Sequence, residues 1–97
     1  MTLSDAALER EVLQLFVEQT AGLMQTLATL PENATALAHT LKGSARAIGA
    51  FRVAEAAAAL EAASVAERGA REAVLQLEVE VGQARQAAAA LLARSEP

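Results

Sequence analysis

The chain has 97 residues and a net charge of −4, from eight Lys and Arg against twelve Asp and Glu. It has no cysteine and a single histidine, which excludes disulfides, thiolate metal sites, a cysteine nucleophile and a histidine-rich metal centre. The acidic balance argues against nucleic acid, which calls for a basic footprint. Apolar residues make up 54% of the chain, much of that alanine, with only two prolines and five glycines as breakers. Alanine is the best helix former and β-branched residues are sparse, so the expectation is an all-α fold in one small domain over residues 1–97. No basic segment followed by an apolar run opens the chain as in a signal peptide. No stretch reaches the roughly 20 apolar residues that span a membrane. These features lead us to expect a cytoplasmic protein with no membrane partner.

Four helical segments are predicted. The first runs from about Ser4 to Thr29, with Leu8, Val12, Leu15, Phe16, Leu23, Leu27 and Leu30 at helical spacing on one side. Thr2 or Ser4 would cap it, and Asp5 and Glu9 suit the positive end of its dipole. Leu30-Pro31 ends it, because a residue before proline avoids helical geometry. The second runs from Glu32 or Asn33 to Ile48, with Asn33 as a cap and Gly49 as its stop. The third runs from Phe51 to Glu67 and stops near Gly69, and the fourth runs from Ala70 to Arg94. In the fourth, Val74, Leu77, Val81, Ala84, Ala88 and Leu91 recur in steps of three and four, the pattern of a bundle seam. Ser95-Glu96-Pro97 is expected to fray. Short connections force neighbouring helices antiparallel, which predicts an antiparallel up-down-up-down four-helix bundle.

On a wheel of about 100° per residue, Ala34, Leu37, Ala38, Leu41, Ala45 and Ile48 gather on one side of the second helix. His39, Lys42, Gly43 and Arg46 fall opposite, which predicts a solvent-facing imidazole with two cations along its stripe. Gly43 lies at i+4 from His39, and a mid-helix glycine costs about 1 kcal/mol relative to alanine. The missing side chain clears space for a partner to approach the ring. The third helix adds a carboxylate. His39 to Gly49 is ten residues and Phe51 to Glu61 is ten, so a hairpin turning at Gly49-Ala50 brings Glu61 level with His39. Glu61 accepting from Nδ1–H would fix the tautomer and leave Nε2 as the nucleophile. The same residues also read as an idle surface histidine, a solvated basic face and a rim glutamate.

His39-Thr40-Leu41-Lys42-Gly43-Ser44-Ala45, then Ile48-Gly49-Ala50 and Leu60-Glu61, resembles the histidine-containing phosphotransfer (HPt) domain family. That family's pattern is His-x-x-Lys-Gly, a small residue, a hydrophobic-Gly pair and a later Leu-Glu. The motif covers about a quarter of the chain, and four helices in about 100 residues extend the fit to nearly all of it. The resemblance implies a phosphorelay intermediate, expected to be a stand-alone protein. His39 would accept a phosphoryl group from a receiver-domain aspartate and pass it to an aspartate on a second receiver. Lys42, with Arg46 on the same stripe, would offset phosphoryl charge, Gly43 would admit the receiver, and Glu61 would bond the histidine as in the chemotaxis-kinase branch. The implied partners are receiver domains of response regulators or hybrid histidine kinases. The chain needs no cofactor of its own, Mg²⁺ being supplied by the receiver. It contains no nucleotide-cradling glycine loop, so ATP binding and kinase activity are not expected. Leu13, Val17 and Met24 lie beside the core stripe of the first helix and, with Leu3, are expected to form either a receiver docking patch or a contact with the fourth helix. Three other readings stay open: a phosphotransfer domain detached from a larger kinase, a helical-bundle adaptor with an idle histidine, and a dimerising kinase hairpin. The last lacks its usual His-Glu/Asp-Leu-x-x-Pro sequence here.

Overall fold

The structure, a computed structural model, describes residues 3–94, with side chains from Ala6 onward. The expected caps at Thr2 and Ser4, the Asp5 charge, the Leu3 contribution to docking and the fraying of Ser95-Glu96-Pro97 lie outside the described side chains. Four helices account for the fold: α1 (Leu3–Leu27), α2 (Ala34–Ala47), α3 (Phe51–Ala66) and α4 (Ala70–Arg94), with no strand among the described residues. Adjacent helices pack as α1 on α2, α2 on α3, α3 on α4 and α4 on α1, while the backbones of α1 and α3, and of α2 and α4, stay further apart across the bundle. The histidine-bearing helix therefore lies diagonally across the bundle from α4. The body measures 47 × 20 × 18 Å, and a 25-residue helix alone is about 37 Å long.

Each helix sends one fully buried leucine into the core, Leu27, Leu41, Leu60 and Leu77. Alanines fill the rest on α2 and α3, with Ala34, Ala38, Ala45, Ala54, Ala56 and Ala57 buried. Such small side chains let helix axes approach toward the short end of the usual 8–10 Å. Of the α2 stripe, Ala34, Ala38, Leu41 and Ala45 are buried and Leu37 and Ile48 are partly buried against the core; Val74, Leu77, Val81 and Ala88 of α4 are buried, whereas Leu91 is exposed. The expected α1 stripe departs further. Phe16 and Leu27 are buried, Leu23 and Leu30 pack on the core, and Leu8 and Leu15 face solvent. Thr20 takes a core position instead. Its burial is tolerable because its hydroxyl donates to the Phe16 carbonyl at 2.8 Å.

The helix ends follow backbone geometry. Gly49 (φ 81°) closes α2 in a Schellman turn: Ala50 N–H donates to Ala45 C=O at 2.8 Å and Gly49 N–H to Arg46 C=O at 3.2 Å. Helix α3 ends in the same motif, with Arg68 N–H on Ala63 C=O at 3.1 Å and Glu67 N–H on Ser64 C=O at 3.3 Å. The left-handed residue there is Glu67 (φ 57°), two positions before the expected stop at Gly69. Helix α1 stops at Leu27, and Leu30, barred from right-handed helix by Pro31, adopts φ 50° and turns onto the core. Asn33 sits at the N-cap of α2 but makes no side-chain cap bond. Its ψ of 22° is not the extended value that aims a cap oxygen at the first-turn N–H groups.

A left-handed glutamate carries a steric cost that glycine lacks. Glu67→Gly is expected to raise stability by about 1 kcal/mol, seen as a Tm increase of roughly 4–8 °C for a domain of this size. An unchanged or lower Tm would contradict the assignment of strain to this turn.

Candidate functional site

The Schellman turn at Gly49 sets the register of α2 against α3. With that register, the two helices bring His39, Lys42 and Glu61 together. His39 is exposed, its side chain 67% accessible, while Lys42 and Glu61 are 19% and 24% accessible. The Glu61 carboxylate spans the pair: Oε2 lies 3.0 Å from His39 Nδ1 and Oε1 lies 2.8 Å from Lys42 Nζ. An ionised carboxylate only accepts hydrogen bonds, so Nδ1 carries the hydrogen and Nε2 of the neutral ring keeps its lone pair. The lysine is thus not a free cation on an open stripe. Its stem runs along the α2–α3 seam and its ammonium anchors the carboxylate. The Thr40 hydroxyl, next to the histidine, turns back onto its own helix and donates to Ala36 C=O at 3.1 Å.

Gly43 is exposed, and a Cβ built there would meet nothing within 4 Å. Packing within this chain gives no reason for glycine at that position. Arg46 is exposed one turn beyond Gly43 and takes no part in the Glu61 pairing. Among the described residues, no three His, Cys, Asp or Glu side chains gather as a metal set.

Leu13, Val17 and Met24 of α1, expected as either a docking patch or a contact with the fourth helix, are all partly buried. Met24 packs against the core. Leu13 and Val17 are half-buried on the flank of α1 that carries Arg10, whose guanidinium donates to Leu92 C=O of α4 at 3.0 Å. That flank turns toward α4, away from the histidine helix. The apolar surface next to α2 comes from the opposite flank. Val12, Leu15 and Phe16 line a hollow of about 200 Å³ with Ser44, Ala47 and Ile48, and exposed Leu8 shares their side of α1. A second hollow of about 470 Å³ adjoins the pair on the α3 side, lined by Lys42, Ala58, Glu61, Ala62 and exposed Val65. The second hollow thus includes both His39 neighbours, Lys42 and Glu61, while the first lies further along α2 toward Ile48. The periodicity of α1 assigned Leu8 and Leu15 to the core, and no local signal marks Val65.

The Lys42 hydrogen bond holds the Glu61 carboxyl below the usual glutamate range, against the opposing effect of desolvation and with a smaller contribution from His39. A folded-state pKa below the unfolded one stabilises the fold above the unfolded value and loses that contribution as pH falls through the folded value. The stability advantage of the parent over Glu61→Gln is accordingly expected in full above about pH 4.5, and it fades on acidification. Carboxyl-carbon NMR should place the Glu61 midpoint below the usual glutamate range, and Lys42→Met should move it upward. A midpoint that ignores Lys42→Met would remove the pairing.

Residues 11–93 match the family model described as Hpt domain. No curated protein and no solved structure matches the chain significantly. Among the described residues, no helix is long and apolar enough to cross a membrane. Hpt domains are helical bundles that perform histidine phosphotransfer in phosphorelays with receiver domains, as phosphocarriers rather than kinases, and with the match spanning most of its length this chain belongs to the Hpt domain family.

Proposed function

We propose that His39 is the phosphoacceptor, taking a phosphoryl group from a receiver-domain aspartate and passing it to the aspartate of a second receiver. The observation that carries this reading is the 3.0 Å contact of an exposed His39 Nδ1 with Glu61 Oε2, which leaves Nε2 as the outward lone pair. Nε2 attacks phosphorus, the bond from phosphorus to the aspartyl oxygen breaks, and the aspartate leaves as a carboxylate. The ring then bears hydrogen on Nδ1 and phosphorus on Nε2 and is positive, and the Glu61 carboxylate faces that charge. Transfer back to an aspartate reverses each step. Phosphoryl transfer asks mainly for positioning and charge stabilisation, so two short helix segments suffice. Lys42 positions Glu61 and adds positive charge beside the ring, and Arg46 reaches toward the phosphoryl oxygens from further along α2. Mg²⁺ arrives with the receiver's own acidic residues, and the exchange takes place in the cytoplasm.

In this reading the receiver docks over Gly43, with Val12 and Leu15 on one side and Val65 on the other. An up-down-up-down course of the helices fits this arrangement. Arg10 near the start of α1 bonds Leu92 near the end of α4, and Arg52 at the start of α3 lies 3.6 Å from Glu80 in the middle of α4.

Incubation with a phosphorylated receiver and Mg²⁺ should place an acid-labile, base-stable phosphoryl group on the parent and none on His39→Gln. If a broad panel of receivers fails to label a well-folded parent, the histidine is idle and the bundle is an adaptor. Gly43→Ala should stabilise the fold by about 1 kcal/mol, while Gly43→Gln should keep the fold and slow transfer. Equal transfer rates for Gly43→Gln and the parent would sink the clearance argument.

A further inference from the structure

Helix α4 carries a second seam that the bundle does not use. Leu75, Val79, Gly82, Gln86, Ala89 and Ala93 follow one another in steps of four, three, four, three and four, and all six are exposed. They occupy an arc of about 80° on the side of α4 opposite Leu77. Leu75 and Val79 are 55% and 51% accessible, more apolar surface than a solvated helix face needs. A Cβ at Gly82 would meet nothing within 4 Å, so this mid-helix glycine has no packing role inside the chain. Steps of three and four are the spacing of a helix that packs on a second helix.

The face is tapered, and the taper selects the arrangement. Its large residues, Leu75 and Val79, are at the N-terminal end and its small ones, Ala89 and Ala93, at the C-terminal end. A parallel copy would set leucine on leucine at one end and alanine on alanine at the other, leaving a gap. An antiparallel copy crossing at Gly82 sets Leu75 against Ala89, a large side chain against a small one, and brings Val79 beside the aliphatic stem of Gln86. Gly82 then lies at the two-fold axis, where absent side chains permit the closest approach. The flanking charges favour the same arrangement. Glu78 and Arg85 lie on one edge of the seam, seven residues apart and so out of reach of each other. Neither has an ion pair among the described residues; Glu78 is exposed, and Arg85 is half-buried, its Nε buried without a hydrogen-bond partner. Two-fold pairing about Gly82 sets Glu78 opposite Arg85 of the second copy, twice per dimer.

We infer that the outer face of α4 is a self-association surface, on which a second copy of this chain packs α4 antiparallel to α4. Because α4 lies diagonally across the bundle from α2, both copies of His39 stay open to partners. The dimer presents two phosphotransfer sites on opposite outer sides, independent of which receiver occupies them.

Sedimentation of the full chain over about 1 μM to 1 mM should reveal a species of twice the 10.0 kDa chain mass. Val79→Glu, on the exposed face, should keep the parent's melting curve and weaken association at least tenfold. Glu78→Arg and Arg85→Glu should each weaken it alone, and an equimolar mixture should restore it, because the two-fold then pairs opposite charges again. The chain has no cysteine, so single introduced thiols report the register. Gly82→Cys should cross-link to itself. Leu75→Cys should not, its two copies lying about 21 Å apart in the antiparallel dimer, but should cross-link to Ala89→Cys on mixing. A parent that stays monomeric throughout overturns the proposal and assigns the face to a different chain. A dimer indifferent to Val79→Glu, or one that cross-links through Leu75→Cys alone, overturns it as well.

Discussion

The site depends on the register between α2 and α3. Gly49 adopts a positive φ, closes α2 and reverses the chain within two residues. That turn leaves no slack, so the level of any α3 residue relative to α2 is set by counting from it. One residue of slip would carry Glu61 around its helix by about 100°, and the carboxylate would lose both partners. The His39–Glu61–Lys42 contact is therefore a consequence of turn chemistry more than of an independent attraction. Burial of Leu41 and Leu60 on the facing stripes holds the same register from inside.

The charge arrangement is economical. One carboxylate meets an imidazole and an ammonium with different oxygens. The ammonium keeps the carboxyl ionised, and an ionised carboxyl can only accept, which decides the tautomer of the ring. Lys42 thus acts on the histidine through Glu61 whatever else it does for a bound phosphoryl group. Nearly exposed charges hold such a geometry weakly on their own. Here the half-buried lysine stem and the close α2–α3 packing allowed by alanine supply the rigidity.

The bundle presents two different outer surfaces. The α2 side carries the exposed imidazole, the side-chain-free position at Gly43 and neighbouring apolar residues of α1 and α3. The α4 side carries a regular seam with its own glycine and unpaired charges. Both glycines lie inside helices at exposed positions where a Cβ would meet nothing, and each lowers helix propensity while leaving room on the outside. The diagonal placement of α2 and α4 lets both surfaces be occupied at once.

Much of this was legible in the amino-acid order alone. Helix periodicity is local, so the four segments, the outward histidine and the buried stripes of α2 and α4 can be read without knowing what packs where. That Glu61 comes level with His39 was legible too, because equal counts on either side of a tight glycine turn give equal heights, while the 3.0 Å contact itself came only from the folded chain. Other features belonged to the tertiary structure. Helix α1 has a wider apolar arc than two neighbours can cover, and only packing decides that Leu13, Val17 and Met24 turn inward or toward α4 while Leu8 and Leu15 stay outside. Lys42 sits on the polar side of its helix, and only the nearness of α3 shows that its charge is engaged. The left-handed residue at the end of α3 fell on Glu67 and not on Gly69, since the helix end is set by where core contacts cease and the glycine is needed to start α4. Sequence determines what a helix can offer on each face, and the neighbours that arrive in the folded chain decide which faces are used.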